Sequence, residues 1–301
     1  MGRLIERLYG APALLLGLTT LFWGMNAVIS RLAVGEISPF QLVFLRWLLV
    51  SAALWALYGR EVRAHWDIIR PRLGAIALMA SLGFTGFNAL FYIAGHHTSA
   101  VNIGILQGSI PIFVLLGAFL AHGARITGSQ SVGVALTLIG VAVVATRGAP
   151  FELLGLSPNL GDLFMLLACS LYAFYTVKLQ TRPAMPGRAF FTLMAPIAAL
   201  SSAPLALGEA LIAAPPAPTP LGWALALIVA IFPSCLAQLF FLRGVDLIGP
   251  GRAGVYVNLV PVFAALLAVA ILGEAFEPFH AIALALVLGG IGLAQRKPRG
   301  G

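Results

Sequence analysis

Between Arg72 and Arg125 the chain runs for 52 residues without one Asp, Glu, Lys or Arg. A helix needs about 20 apolar residues to cross a bilayer, so this stretch is too long for one crossing and right for two. It reads as a helical hairpin inside a membrane. Composition agrees: of 301 residues, 60% are hydrophobic and 9% charged, and the mean hydropathy is +0.99. Soluble domains carry roughly 25% charged residues, so a water-clothed globule is excluded. The apolar runs are uninterrupted and lack the period-2 alternation of an outer-membrane barrel, which leaves helices that satisfy their own backbone hydrogen bonds in lipid.

Breaks at charged and Pro/Gly clusters place spans at 11–34, 39–58, 73–95, 98–121, 128–146, 160–180, 188–212, 219–242, 251–272 and 279–295. The expected fold class is therefore an all-α integral membrane protein with ten transmembrane helices. The first run follows Arg3 and Arg7 as a secretory signal would, but exceeds the 7–15 residues of a signal core and stays as a span. With a cytoplasmic N-terminus, fifteen of the 18 basic residues fall on the inner side, only Arg31 and Arg147 fall outside, and Arg46 lies within the second span. That asymmetry puts both termini in the cytoplasm. Cys169 and Cys235 sit in apolar runs and offer neither a disulfide framework nor a zinc site.

The chain also repeats itself. A shift of 150 residues sets Gly104 on Gly254, Pro111 on Pro261, Phe113 on Phe263, Gly123 on Gly273 and Gly140 on Gly290, and a shift of 149 sets Trp23 on Tyr172 and Asn26 on Tyr175. Two five-span units result, 11–147 and 160–296. Because five is odd, the second copy enters the membrane upside down, giving a pseudo-two-fold axis in the membrane plane and the symmetry that alternating access uses.

The motif Leu21-Phe22-Trp23-Gly24-Met25-Asn26, then Pro39 followed by Phe44-Leu45-Arg46, then Pro111 repeated as Pro261 and closed by Leu272-Gly273-Glu274, resembles the EamA family of the drug/metabolite transporter superfamily. Within it the chain is similar to YddG-type bacterial exporters of aromatic amino acids. The resemblance implies a multi-pass transporter in the bacterial inner membrane, acting on amino acids or related metabolites. One departure stands out: where the second half reads Leu272-Gly273-Glu274, the first reads His122-Gly123-Ala124, without the acid.

Candidate binding residues come from polar and aromatic groups at helical spacing. Thr19, Trp23, Asn26 and Ser30 form one stripe, Ser81, Thr85, Asn88 and Tyr92 another, and Ser234 and Gln238 lie one turn apart. Asn102, Gln107 and Asn258 add amides with much hydrogen-bonding capacity when buried. Such groups serve either as helix-to-helix glue or as a cavity lining. Tyr172, Tyr175 and Tyr256 are aromatics within spans, where packing and substrate stacking are both open. The expected substrate-binding set is Trp23, Asn26, Asn88, Tyr92, Asn102, Tyr172, Tyr175, Gln238, Tyr256 and Asn258, with Trp23, Asn26, Tyr172 and Tyr175 facing one another near the midplane. Pro111 and Pro261 are either paired kinks or hinges. Arg46 needs a partner inside the span, either Glu36, helix carbonyls or a substrate carboxylate.

The acids all fall at span ends or in loops, which favours uncoupled transport over a proton-driven exporter, the second reading, with His96 and His97 as the titratable candidates for coupling. A neutral, amide-rich pocket suits zwitterions better than sugar phosphates. Nothing in the sequence supplies a nucleotide-binding loop, a metal-binding HExxH or a nucleophile with its base, so no enzyme activity, catalytic residue, metal or cofactor is expected. The expected partners are a small-molecule substrate and the lipid bilayer, with no nucleic acid, in a monomer or homodimer. A channel-like pore is the remaining alternative.

Overall fold

The computed structural model describes residues 9–123, 127–148 and 159–295. Arg3, Glu6, Arg7, Ala124, Arg125, Glu152, Arg296, Lys297, Arg299 and the side chain of His122 lie outside the described residues. The described chain is a helical bundle. Among the described residues nine helices are long and apolar enough to cross a membrane: α1 Pro12–Leu32, α2 Pro39–Ala64, α3 Trp66–Ala94, α4 Ala100–Ala121, α5 Gly128–Ala145, α6 Leu160–Thr181, α7 Gly187–Ile212, α8 Pro220–Ile248 and α9 Arg252–Leu272. A tenth, α10 Pro278–Ala294, has 17 residues, still within the range that spans a bilayer. We call the end where α1 begins and α10 finishes the terminal end, and the other the distal end.

Local chemistry sets the helix starts. Ser38, Ser99, Thr127, Asn159 and Thr219 each accept a backbone N–H in the first turn that follows, and Pro39, Pro220 and Pro278 stand where a helix has no internal use for an N–H. Two helices outrun the expected spans. α2 continues to Ala64 rather than residue 58, and α8 to Ile248 rather than 242. Charge at Arg60, Glu61, Arg63, Arg243 and Asp246 marks where lipid ends, whereas the helix stops only where the backbone turns, as at Gly249 with φ +82. α3 likewise starts at Trp66, ahead of Arg70 and Arg72.

The two halves share irregularities as well as helices. α3 carries a π-helical turn at Ser81–Gly86 and α8 one at Ala230–Leu236, 149 residues apart at their starts. α4 is broken between Gln107 and Ile110, and α9 between Val257 and Val260. Each break sits where Pro111 or Pro261 can neither donate to nor fit against the carbonyl four residues back. Gly123 and Gly273 then close the two helices in the left-handed conformation, at φ +63 and +65.

Packing obeys the same exchange of halves. α1 packs on α8 and α9 as α6 packs on α3 and α4, while α2 meets α7, α4 meets α9 and α5 meets α10. This is the pattern of two inverted five-helix repeats. The α5 and α10 pair closes through Gly133, Gly140 and Gly290; a Cβ on Gly133 would meet the Gly290 carbonyl at 2.5 Å and Ala294 N at 2.8 Å. These glycines are thus accounted for within one chain, whereas Gly289 and Gly292 face open space. Among the described residues α1 to α4 and α6 to α9 surround the centre of the bundle, and α10 adds Ile291.

Candidate functional site

At that centre lies a cavity of about 110 Å³, several times the ~10–15 Å³ that one water needs. Both repeats build it. Trp23, Asn26, Arg46 and Asn88 come from the first, Tyr172, Ser234, Gln238 and Asn258 from the second, and the breaks of α4 and α9 bring Pro111 and Pro261 into its wall.

Its polar core is one connected set. Arg46 is 5% exposed and donates through Nη1 to Asn88 Oδ1 at 2.5 Å and to Tyr92 Oη at 2.9 Å. The Tyr92 hydroxyl donates to Asn26 Oδ1 at 2.8 Å, and Asn88 Nδ2 to the Phe84 carbonyl at 2.6 Å. That carbonyl belongs to the π-helical turn of α3; the turn of α8 offers the Pro233 carbonyl to Trp23 Nε1 at 3.2 Å. A widened turn re-aims backbone acceptors, and both repeats use it to hold a cavity side chain. Arg46 finds no carboxylate within 4.0 Å among the described residues. The expected pairing with Glu36 does not form, because Glu36 lies at the distal end, where its carboxylate accepts from the Thr219 hydroxyl.

Aromatic rings fill the rest. Trp47 stacks on Phe84 with centroids 4.7 Å apart and planes 8° apart, and Phe191 meets both edge-on. Arg46 lies over the Trp47 ring at 5.3 Å.

Of the expected substrate-binding set, Trp23, Asn26, Asn88, Tyr172, Gln238 and Asn258 line this cavity, with Pro111 and Pro261 and the other sequence candidates Arg46, Gln107 and Ser234. Tyr92 stands one layer behind, 1% exposed, bracing Arg46. The rest lie elsewhere. Tyr175 is packed against Phe84 and Tyr172 and opens onto a vestibule at the terminal end, so it does not join Trp23, Asn26 and Tyr172 in the central cavity wall. Asn102 belongs to the distal end, and half-buried Tyr256 lines none of the described cavities. Trp47, Phe84, Phe87 and Phe191 are cavity residues that sequence reasoning missed. The one local signal was Trp47 directly following the buried Arg46.

The two ends differ. The terminal vestibule shares Phe191 and Gln238 with the central cavity, whereas the distal vestibule shares none of the described residues with it. Between the central cavity and the distal vestibule, Ile103, Gly104, Ile105 and Leu106 of α4 are buried. The distal end is also tied across the repeats. Glu274 accepts the backbone N–H groups of Ala100 and Val101 at 2.9 and 3.0 Å, with Arg31 Nε 3.8 Å away. Beside it runs a directed chain: Glu277 N donates to His280 Nδ1, His280 Nε2 faces Asn102 Oδ1, Asn102 Nδ2 donates to Thr98, and Thr98 donates to Asp162 Oδ1. Asp162 is 3% exposed, in the first turn of α6 at the span end where the sequence placed it. In the neighbouring loop, burial, then His97 and Arg31, hold His96 below its ordinary range, with Glu209 pulling the other way, so it is neutral near pH 7.

The family described as EamA-like transporter family matches residues 11–146 and 159–295. The chain is 26% identical over 289 residues to the uncharacterized transporter YyaM of Bacillus subtilis, covering 92% of this chain and 91% of that protein. It is 28% identical over 287 residues to an uncharacterized transporter of Archaeoglobus fulgidus, covering 94% and 97%. A probable amino-acid metabolite efflux pump of Escherichia coli is 25% identical over 194 residues, covering 60% of this chain and 59% of that one. A solved crystal structure matches in fold with a TM-score of 0.65 at 20% identity, over 94% of this chain and 96% of the other.

Proposed function

Because the chain belongs to the EamA-like transporter family, we propose that it exports small neutral or zwitterionic metabolites, amino acids including aromatic ones, by alternating access. One observation carries the reading: a central cavity built by both repeats adjoins a vestibule at one end and is separated from the other by a packed, hydrogen-bonded seal. A continuous pore has no use for such inequality. The repeats 11–147 and 160–296 are the moving units, and Pro111 and Pro261, at the paired breaks, are their hinges.

Orientation follows from charge. Arg182, Arg188 and Arg243 line the terminal vestibule, so that end faces the cytoplasm of a bacterial inner membrane. The geometry then corresponds to a carrier loaded from inside, as export requires. The similarity to an amino-acid metabolite efflux pump points to the same substrate class.

The cavity wall holds no carboxylate among the described residues, which favours transport without proton coupling. The second reading, a proton-coupled exporter, draws on buried Asp162 in the distal chain rather than on His96. Sealed proteoliposomes separate the two. Uptake of labelled phenylalanine and threonine is expected to saturate, to be accelerated by unlabelled amino acid inside, and to ignore an imposed pH gradient. Accumulation driven by the gradient establishes coupling instead, and no flux of either amino acid sinks the substrate assignment.

A further inference from the structure

Resting on the transporter reading, we propose that Arg46 anchors a substrate carboxylate, so that the central cavity selects small monocarboxylates with an aromatic or branched side chain, amino acids among them. A guanidinium carries five N–H donors and a charge that the membrane interior strongly disfavours without compensation. Arg46 is 5% exposed and lines the cavity, its two hydrogen bonds go to neutral oxygens, and its buried Nε has no partner among the described residues. The charge is therefore held but not balanced.

Holding it is what the surroundings do. Asn88 is fixed by the Phe84 carbonyl, Tyr92 by Asn26, and Trp47 lies beneath the fork at 5.3 Å. A planar fork fixed in advance matches a carboxylate, and binding then costs little reorganisation. A sugar phosphate dianion needs clustered cations, and Arg46 is the one Lys or Arg among the cavity's described wall residues; an organic cation meets an uncompensated like charge. Gln107 Oε1, a buried acceptor in the same wall, is also unpartnered among the described residues and suits an ammonium, which favours amino acids over simple acids.

The test uses the purified full chain and the fluorescence of Trp23 and Trp47, both in the cavity wall. Phenylalanine and 3-phenylpropionate share a carboxylate, whereas phenethylamine lacks it. Both carboxylates are expected to change the emission saturably, phenylalanine more tightly, and phenethylamine not at all. Arg46→Gln is expected to weaken both carboxylates by about tenfold or more, and Arg46→Lys by less. Phenethylamine binding as tightly as 3-phenylpropionate, no carboxylate binding, or wild-type affinity in Arg46→Gln overturns the proposal; should Arg46→Gln not fold, the discrimination by the wild-type chain decides. Counterflow with the same compounds keeps the two readings apart. Binding without counterflow counts against transport alone, and counterflow that treats amine and acid alike counts against the anchor alone.

Discussion

Glu274→Ala is expected to loosen the distal seal by about 2 kcal/mol, a factor of roughly 30 in favour of the state open at that end. The carboxylate takes both free N–H groups at the start of α4 and reaches from the second repeat to the first. Each hydrogen bond to a charged group contributes about 1.5–3 kcal/mol when buried. The Glu274 side chain is 16% exposed, so the pair is discounted for solvent. The readout is local: the Ala100 and Val101 amides should exchange hydrogen about 30-fold faster, with Glu274→Gln, which keeps one acceptor, in between. Unchanged exchange in Glu274→Ala means that the seal lies elsewhere. No equivalent effect is available at the other end, since the first repeat has Ala124 at the matching position. The seal at the distal end is thus chemically one-sided, and the proposed alternating-access cycle would rest open toward the termini.

Gly104→Leu is expected to cost about 1–3 kcal/mol or more of folding stability. A Cβ there would run into the Cβ of Ala264 where α4 crosses α9, and one on Gly24 of α1 would meet Ala264 N at 2.8 Å and Phe263 Cβ at 2.9 Å. Three helices converge on one small residue next to the cavity. Gly254 is the repeat mate of Gly104 by sequence, yet none of the described residues lies within 4 Å of its Cβ position. Gly254→Leu should therefore lose nothing and gain up to about 1 kcal/mol of helix propensity. Thermal unfolding of the two variants in the same detergent checks the contrast; equal losses would mean that the α4 and α9 crossing is not where the bundle is tightest.

The Gly104 and Gly254 contrast also shows what sequence can carry. Spans, repeat and inversion were legible because charge is expelled from lipid and because an odd repeat leaves one topology. Residue depth was harder. Asn102 and Gln107 lie on one helix, five residues apart, which at 1.5 Å per residue is about 7.5 Å; that distance separates the distal network from the central cavity. Tyr172 and Tyr175 differ in the same way, by one turn toward the vestibule. Trp47, Phe84 and Phe191 were invisible for another reason. In water an apolar stripe marks the core, but in lipid every face is apolar, so periodicity cannot tell cavity from bilayer. Asn88 and Tyr92 were recognised as polar residues on one face of α3; that they hold Arg46 of α2 depends on packing between helices that no spacing along one helix encodes.

In the proposed cycle the cavity opens to one side at a time. Ser234 lines it and is 3% exposed, so Ser234→Cys in a chain carrying Cys169→Ser and Cys235→Ser reports access from either face. A membrane-impermeant thiol reagent should label the thiol from the terminal face, slowly from the distal face, and faster from the distal face once Glu274→Ala is added, at the expense of the terminal face. Labelling at comparable rates from both faces in the same preparation would mean a continuous pore and would contradict alternating access.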